Sequence, residues 1–167
     1  MNKKGVDILS LDVEKLIEML NAALSEEWLA YYQYWIGAQV IEGPMRTQIE
    51  AELMEHATEE LAHANRVAKR IIELNGTPVL DPVEWTKLAR CKYEAPTDPY
   101  VETVLAQNIR GERCAIQRYQ EIASYTEGKD YVTHTIATEI LAEEVEHEKD
   151  LDDFVVDIMR LKEAVRK

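Results

Sequence analysis

Apolar residues recur every three or four positions over four long stretches of the chain, and no sustained period-two alternation competes with them. Between Val13 and Ile41 the stripe runs Leu16, Leu20, Ala23, Tyr31 (or Ala30) and Tyr34. Between Met45 and Leu74 it runs Leu53, Ala57, His63 or Ala64, Val67 and Ile71. Leu105, Ile109, Ile116, Tyr119 and Ala123 mark a third stripe between Tyr100 and Glu127, and Ile136, Ile140, Leu151 and Val155 a fourth between Tyr131 and Lys167. The punctuation agrees with helix ends. Ser10 or Asp12 can cap the first helix, Gly43-Pro44 breaks it, and Asn75-Gly76 followed by Pro78 closes the second. Residues 76 to 98 read as a long connection in which "PVEWTKLAR" can form a short helix. Asp98-Pro99 reads as a cap and first-turn proline for the third helix, and Gly128 stops it. Short links inside each hairpin and one long link between the second and third helices predict an all-α four-helix bundle with a single crossover, one domain spanning 1–167.

Each stripe is interrupted by an acid. Glu27, Glu60, Glu112 and Glu144 fall on the apolar faces of the four helices, and His63 and His147 follow the second and fourth by three positions. A lone ionised carboxylate in a core costs several kcal/mol, and four together repel one another. Two divalent cations would balance four carboxylates while the imidazoles add neutral nitrogen. Spacing of i, i+3 brings a glutamate and a histidine of one helix to the same centre. The pattern repeats, with Glu60 33 positions after Glu27 and Glu144 32 after Glu112, so two related hairpins would supply similar half-sites. Mixed oxygen and nitrogen ligands favour iron or manganese, with zinc a competitor. His56 and His134 are left as surface residues or neighbours of the site.

Composition narrows the partners. At 167 residues the chain can bury a real core, and 19 basic against 32 acidic residues give a net charge of −13, which argues against a phosphate backbone as partner. The acid excess suits cations, or only solubility. No apolar run approaches the roughly 18 residues of a membrane span, no secretory signal is visible, and two cysteines are too few for a disulfide scaffold, so a cytoplasmic location is expected.

Over roughly residues 12–158 the sequence resembles the ferritin-like superfamily of di-iron carboxylate proteins. "LSEEWLAYYQYW" is similar to the first-helix motif of bacterioferritins, which implies Glu27 as a terminal ligand and Tyr34 beside the metals. "EELAHANRVAKRIIELNGTPVL" resembles their second helix and implies Glu60 as bridging and His63 as terminal ligand; "ILAEEVEHEKDL" implies the same roles for Glu144 and His147. With Glu112 these make the six expected metal ligands. Bacterioferritins carry the haem-ligating methionine directly after the bridging glutamate; Leu61 stands there, so no haem is expected.

Cys91 and Cys114, 23 positions apart, make the chain similar to the thioferritins, a Dps-like branch that joins a bacterioferritin-type site to two cysteines. That resemblance implies a homo-oligomeric cage of twelve subunits, with twenty-four the alternative. It also implies an oxidoreductase that oxidises Fe(II), preferably with hydrogen peroxide and otherwise with oxygen, stores the iron and protects against oxidative stress. DNA binding by Dps proteins relies on a basic tail, for which Lys3-Lys4 is a poor substitute. Cys114 follows Glu112 by about 200° around the helix, which turns its thiol from the seam. The resemblance implies proximity to Cys91, with a reversible disulfide that passes electrons toward the site as the expectation and two unrelated buried thiols as the alternative. Tyr31, Tyr34 and Tyr119 lie near the ligands, packing with a hydrogen bond or, for Tyr34, donating electrons or orienting a ligand. The competing functions are a rubrerythrin-like peroxidase without storage, which normally needs paired C-x-x-C motifs absent from this sequence, and a non-catalytic DNA-coating or structural cage.

Overall fold

A computed structural model describes residues 4–166, so Lys3 of the basic pair and the terminal Lys167 lie outside the described residues. A short turn of helix, α1 (Lys4–Asp7), which the apolar pattern does not announce, precedes α2 (Val13–Val40). Asp12 caps α2 by accepting a hydrogen bond from the Lys15 N–H at 3.1 Å. Met45, in the left-handed region at φ 59°, turns the chain into α3 (Arg46–Glu73). α3 ends with Asn75 left-handed at φ 65° and the Gly76 N–H donating to the Ile71 carbonyl at 2.9 Å, a closure that satisfies otherwise orphaned carbonyls.

The crossover carries a 3₁₀ turn (Pro82–Glu84), capped by Asp81, and α4 (Trp85–Leu88). α5 (Val101–Thr126) starts later than the sequence suggests: its N-cap is Tyr100, because Glu42 and Val101 exchange backbone bonds with the incoming chain (Glu42 N–H to Pro99 O and Val101 N–H to Glu42 O, both 2.8 Å). Asp98 still serves the turn, accepting from the Tyr100 N–H and the Thr103 hydroxyl. Asp130 caps α6 (Tyr131–Val165) through the Val132 and Thr133 N–H groups.

α2 packs along α3 and α5 along α6, and the hairpins meet through α2 against α5 and α3 against α6. The fold is therefore an all-α ferritin-like bundle with one long crossover. Ile116, Ile136, Val155 and Tyr31 flank the apolar stripes, partly buried, while the other apolar seam positions named from the sequence on α3, α5 and α6 are buried.

The core is split. One apolar cluster gathers Leu16, Leu20, Val67, Ile71, Ile122 and Ile140; the other gathers Ile41, Ile49, Leu53, Leu105, Leu151 and Ile158. The segments between them on the four long helices carry Glu27, Glu60, His63, Glu112, Glu144 and His147. Apolar packing above and below fixes the height of this polar layer. Trp28 stacks on Trp85 at 5.4 Å, and Glu26, buried and paired with Arg118, accepts from the Arg90 and Cys91 N–H groups at 2.7 and 3.2 Å, which anchors the crossover beside the layer. Among the described residues no helix is long and apolar enough to cross a membrane.

Candidate metal centre

The six seam residues converge. Glu27, Glu60, His63 and Glu144 bring one ligand-type atom each to within 4.8 Å of one another, and Glu60, Glu112, Glu144 and His147 do the same, so Glu60 and Glu144 belong to both groups. His63 Nδ1 lies 3.4 Å from Glu27 and Glu60 and 3.1 Å from Glu144. His147 Nδ1 lies 3.4 Å from Glu60, 3.3 Å from Glu144 and 3.8 Å from Glu112. Each imidazole thus faces one terminal and both central carboxylates, the pseudo-twofold arrangement that a repeated hairpin builds.

The outer nitrogens are held in the same symmetric way. His63 Nε2 lies 2.7 Å from Glu143 and His147 Nε2 lies 2.6 Å from Glu59, each pair bridging α3 and α6. A carboxylate on the outer nitrogen places the proton there and turns Nδ1 inward as a ligand. Arg66 in turn holds Glu143. The terminal acids are tethered by phenols: the Tyr34 hydroxyl donates to Glu112 and the Tyr119 hydroxyl to Glu27.

The electrostatics record four acids crowded in a dry layer. Burial, then Glu60, pushes the Glu27 carboxyl well above its usual range; burial, then Glu144, does the same to Glu112. Burial, then Glu112 for Tyr34 and Glu27 for Tyr119, raises both phenols. Burial also works against a charged Glu60, but the adjacent imidazoles of His147 and His63 outweigh it and hold its carboxyl low. The two imidazoles are raised despite burial because carboxylates surround them.

The decisive feature is what remains unpartnered. Among the described residues, the buried side-chain polar atoms without a hydrogen bond are Glu27 Oε2, Glu60 Oε1, Glu112 Oε2, both Glu144 oxygens, Nδ1 of His63 and His147, and Nδ1 of His56. All but the last belong to the six residues. Buried polar atoms left without partners are rare in native proteins, and a mixed set of carboxylate oxygens and imidazole nitrogens, in two groups that share Glu60 and Glu144, suits a first-row divalent metal.

Comparison with known proteins agrees with the geometry. The family model described as a ferritin-like domain matches residues 17–161. The chain belongs to the ferritin-like family. This ferritin-like chain is 36% identical over 148 residues to the DNA protection during starvation protein of Pyrococcus furiosus, which covers 88% of this chain and 80% of that protein. It is 30% identical over 134 residues to the bacterioferritin of Rhodobacter capsulatus, covering 80% of this chain and 78% of that one. A solved structure from Bacteroides fragilis, described as a dodecameric thioferritin and a bacterioferritin-related protein, is similar at 60% identity with a TM-score of 0.98, covering 99% of this chain and 100% of that chain.

Cys91 and Cys114 are joined in a disulfide, with Cα atoms 5.6 Å apart. It ties the crossover to α5. Cys91 also lines a cavity that reaches Glu27, Glu60 and Glu112 between α2 and α5, past Gln33 and Asn108. The disulfide thus stands at a mouth of the ferritin-like centre, a closer relation than the turn of Cys114 away from the seam implies.

Two features were not read from the sequence. Glu59 and Glu143 each precede a central glutamate, so the motif is E-E-x-x-H in both copies, and the doubled acid was the available signal. The sequence left His56 between a surface residue and a neighbour of the site; it is the neighbour, buried and stacked on His147 with ring centroids 4.1 Å apart. Burial, then His147, lowers its pKa to about 3. His134 is partly buried and bonds the Ala123 carbonyl through Nδ1 at 2.9 Å, a capping role away from the centre.

Proposed function

We propose that this ferritin-like chain is the subunit of a twelve-membered cage that oxidises Fe(II), with hydrogen peroxide as the favoured oxidant, and stores the product, in defence against oxidative stress. The observation that carries the reading is the set of unpartnered buried atoms on Glu27, Glu60, His63, Glu112, Glu144 and His147. In this reading Glu60 and Glu144 bridge a pair of ferrous ions, Glu27 and His63 complete one position, and Glu112 and His147 the other. Two adjacent ferrous ions each give up one electron, so hydrogen peroxide and two protons become two waters without release of a hydroxyl radical.

The protein's own part is positioning. Glu59 and Glu143 keep the imidazole Nδ1 atoms turned inward, and Tyr34 and Tyr119 orient the terminal carboxylates. Apolar clusters on both sides exclude water from the layer. The cavity beside Cys91 supports entry of a small oxidant between α2 and α5. The cage assignment rests on similarity to the dodecameric thioferritin, and the cytoplasmic location is part of the same proposal.

Anaerobic addition of Fe(II) followed by peroxide, with mass followed by light scattering, tests the reading. Consumption of two Fe(II) per peroxide by a particle near twelve chains is expected. Slow oxidation at the rate of free iron, or a monomeric particle, would contradict it.

A further inference from the structure

Gly111 stands in the middle of α5, where a glycine weakens the helix relative to alanine. Its backbone does not require one: the glycines with positive φ are Gly43 and Gly128. Packing does not require one either. A Cβ on Gly111 would meet Nε2 of Gln33 at 3.8 Å, an ordinary contact, whereas one on Gly76 would meet the Ile17 side chain at 2.9 Å. What the missing side chain leaves is space, because Gly111 lines the cavity that runs from Cys91 to Glu27, Glu60 and Glu112.

That cavity is small, about 30 Å³. A water takes roughly 10–15 Å³ of such space, so there is room for about two water-sized atoms. Two amides hold its walls. Gln33, buried on α2, accepts the Glu94 N–H through Oε1 at 2.7 Å and donates from Nε2 to Asn108 Oδ1 at 3.3 Å. Asn108 in turn donates to the Val104 carbonyl at 2.9 Å. Neither amide can swing aside without giving up bonds to the crossover or to α5. At the inner end Glu27, Glu60 and Glu112 each present a buried carboxyl oxygen without a partner among the described residues. The passage therefore ends on groups that await a ligand.

We infer that Gly111, Gln33 and Asn108 select the oxidant by size: the passage they line admits a molecule of two oxygen atoms, hydrogen peroxide or dioxygen, and excludes alkyl hydroperoxides. The inference rests on the proposed oxidation of Fe(II) at the paired centre. Hydrogen peroxide matches the space beside Gly111, whereas the alkyl group of tert-butyl hydroperoxide overfills it. The chemistry is the same for both. Two Fe(II) give two electrons, two protons are taken up, and the O–O bond breaks, yielding two waters from hydrogen peroxide and water with tert-butanol from the larger molecule. A difference between the two beyond that seen with free iron is therefore a difference of access. Gly111 and the two amides are positioning residues, acting through the shape of the passage.

The test uses the full-length protein, loaded anaerobically with Fe(II) and then mixed with hydrogen peroxide or with tert-butyl hydroperoxide. Loading before mixing keeps iron entry out of the measured step. Relative to free Fe(II), the native protein should favour hydrogen peroxide by about 10-fold or more, the scale on which a pocket discriminates one extra carbon. Gln33→Ala should raise the rate with tert-butyl hydroperoxide and shrink that preference. Gly111→Ala should slow oxidation by hydrogen peroxide by about 10-fold and yet raise the melting temperature of the metal-free protein, because it removes a glycine from a helix. A native protein with no preference beyond that of free iron, or a Gly111→Ala variant that keeps the native rate or melts lower, would overturn the size selection and leave the paired centre standing. No rapid phase with hydrogen peroxide in the native protein would overturn the proposed function, and the size selection with it.

Discussion

His147 and Glu59 meet across the α3–α6 interface with Nε2 and Oε2 2.6 Å apart, and His63 and Glu143 repeat the contact on the other side of the pseudo-twofold axis. Neither glutamate reaches the central layer, yet each sets the direction of an inward Nδ1. Glu59→Ala and Glu143→Ala should therefore weaken metal binding by about 10- to 100-fold with the helices intact. Metal titration followed by circular dichroism checks this. Native affinity in both variants would make the two contacts incidental surface pairs.

The protonation pattern sets a pH dependence with a definite sign. Burial and neighbouring acids raise Glu27 and Glu112 above 4.5, and surrounding carboxylates raise His63 and His147 above 6.5 despite burial. Between those ordinary values and the raised ones the folded metal-free protein binds more protons than the unfolded chain, so its stability falls as pH rises. Metal displaces those protons, so the loaded protein should lose its metal as pH falls. Thermal melts between about pH 5 and about pH 8 should move down with pH for the metal-free protein and up for the loaded protein. Parallel trends in both would show that these groups do not carry the linkage.

Tyr34→Phe removes the hydroxyl that donates to Glu112 and leaves a buried carboxyl oxygen without its partner. A loss of about 1–3 kcal/mol in the metal-free protein is expected, read from chemical denaturation. If Tyr34 orients Glu112, the variant should also oxidise Fe(II) more slowly; an unchanged rate would leave Tyr34 a packing residue.

The Cys91–Cys114 disulfide closes a loop that contains the end of the crossover and the first half of α5, with a sequence separation of 23. Cys114→Ser should cost about 3 kcal/mol and expose residues 76–100 to limited proteolysis. Thiol labelling with mass spectrometry should find the cysteines blocked after peroxide and open after reduction. Free thiols after peroxide, together with a native oxidation rate in Cys114→Ser, would reduce the pair to packing.

The four long helices were legible because apolar stripes of period 3.6 run through them almost without a break, and Asp12, Asn75 and Gly128 mark their ends by local chemistry. The convergence of Glu27, Glu60, His63, Glu112, Glu144 and His147 was legible for the same reason: charge on an apolar stripe must meet something inside. The start of α5 was not, because the bond between Glu42 and Val101, far apart in sequence, decides it. Which of the two readings of His56, surface residue or neighbour of the site, holds was not legible, because only the packing of α6 against α3 buries it under His147. The opening beside Cys91 depends on the path of the crossover, which a proline-rich stretch does not specify.

The central claim is that Glu60 and Glu144, shared by both halves of the layer, hold two ferrous ions together for oxidation. Stopped-flow measurement of Fe(II) oxidation by peroxide in the native protein and in Glu60→Ala and Glu144→Ala tests it most directly. Each substitution removes a carboxylate shared by both ligand groups, so both variants should stay folded and lose the rapid phase. Rapid oxidation at the native rate in both variants would contradict a paired centre at this layer.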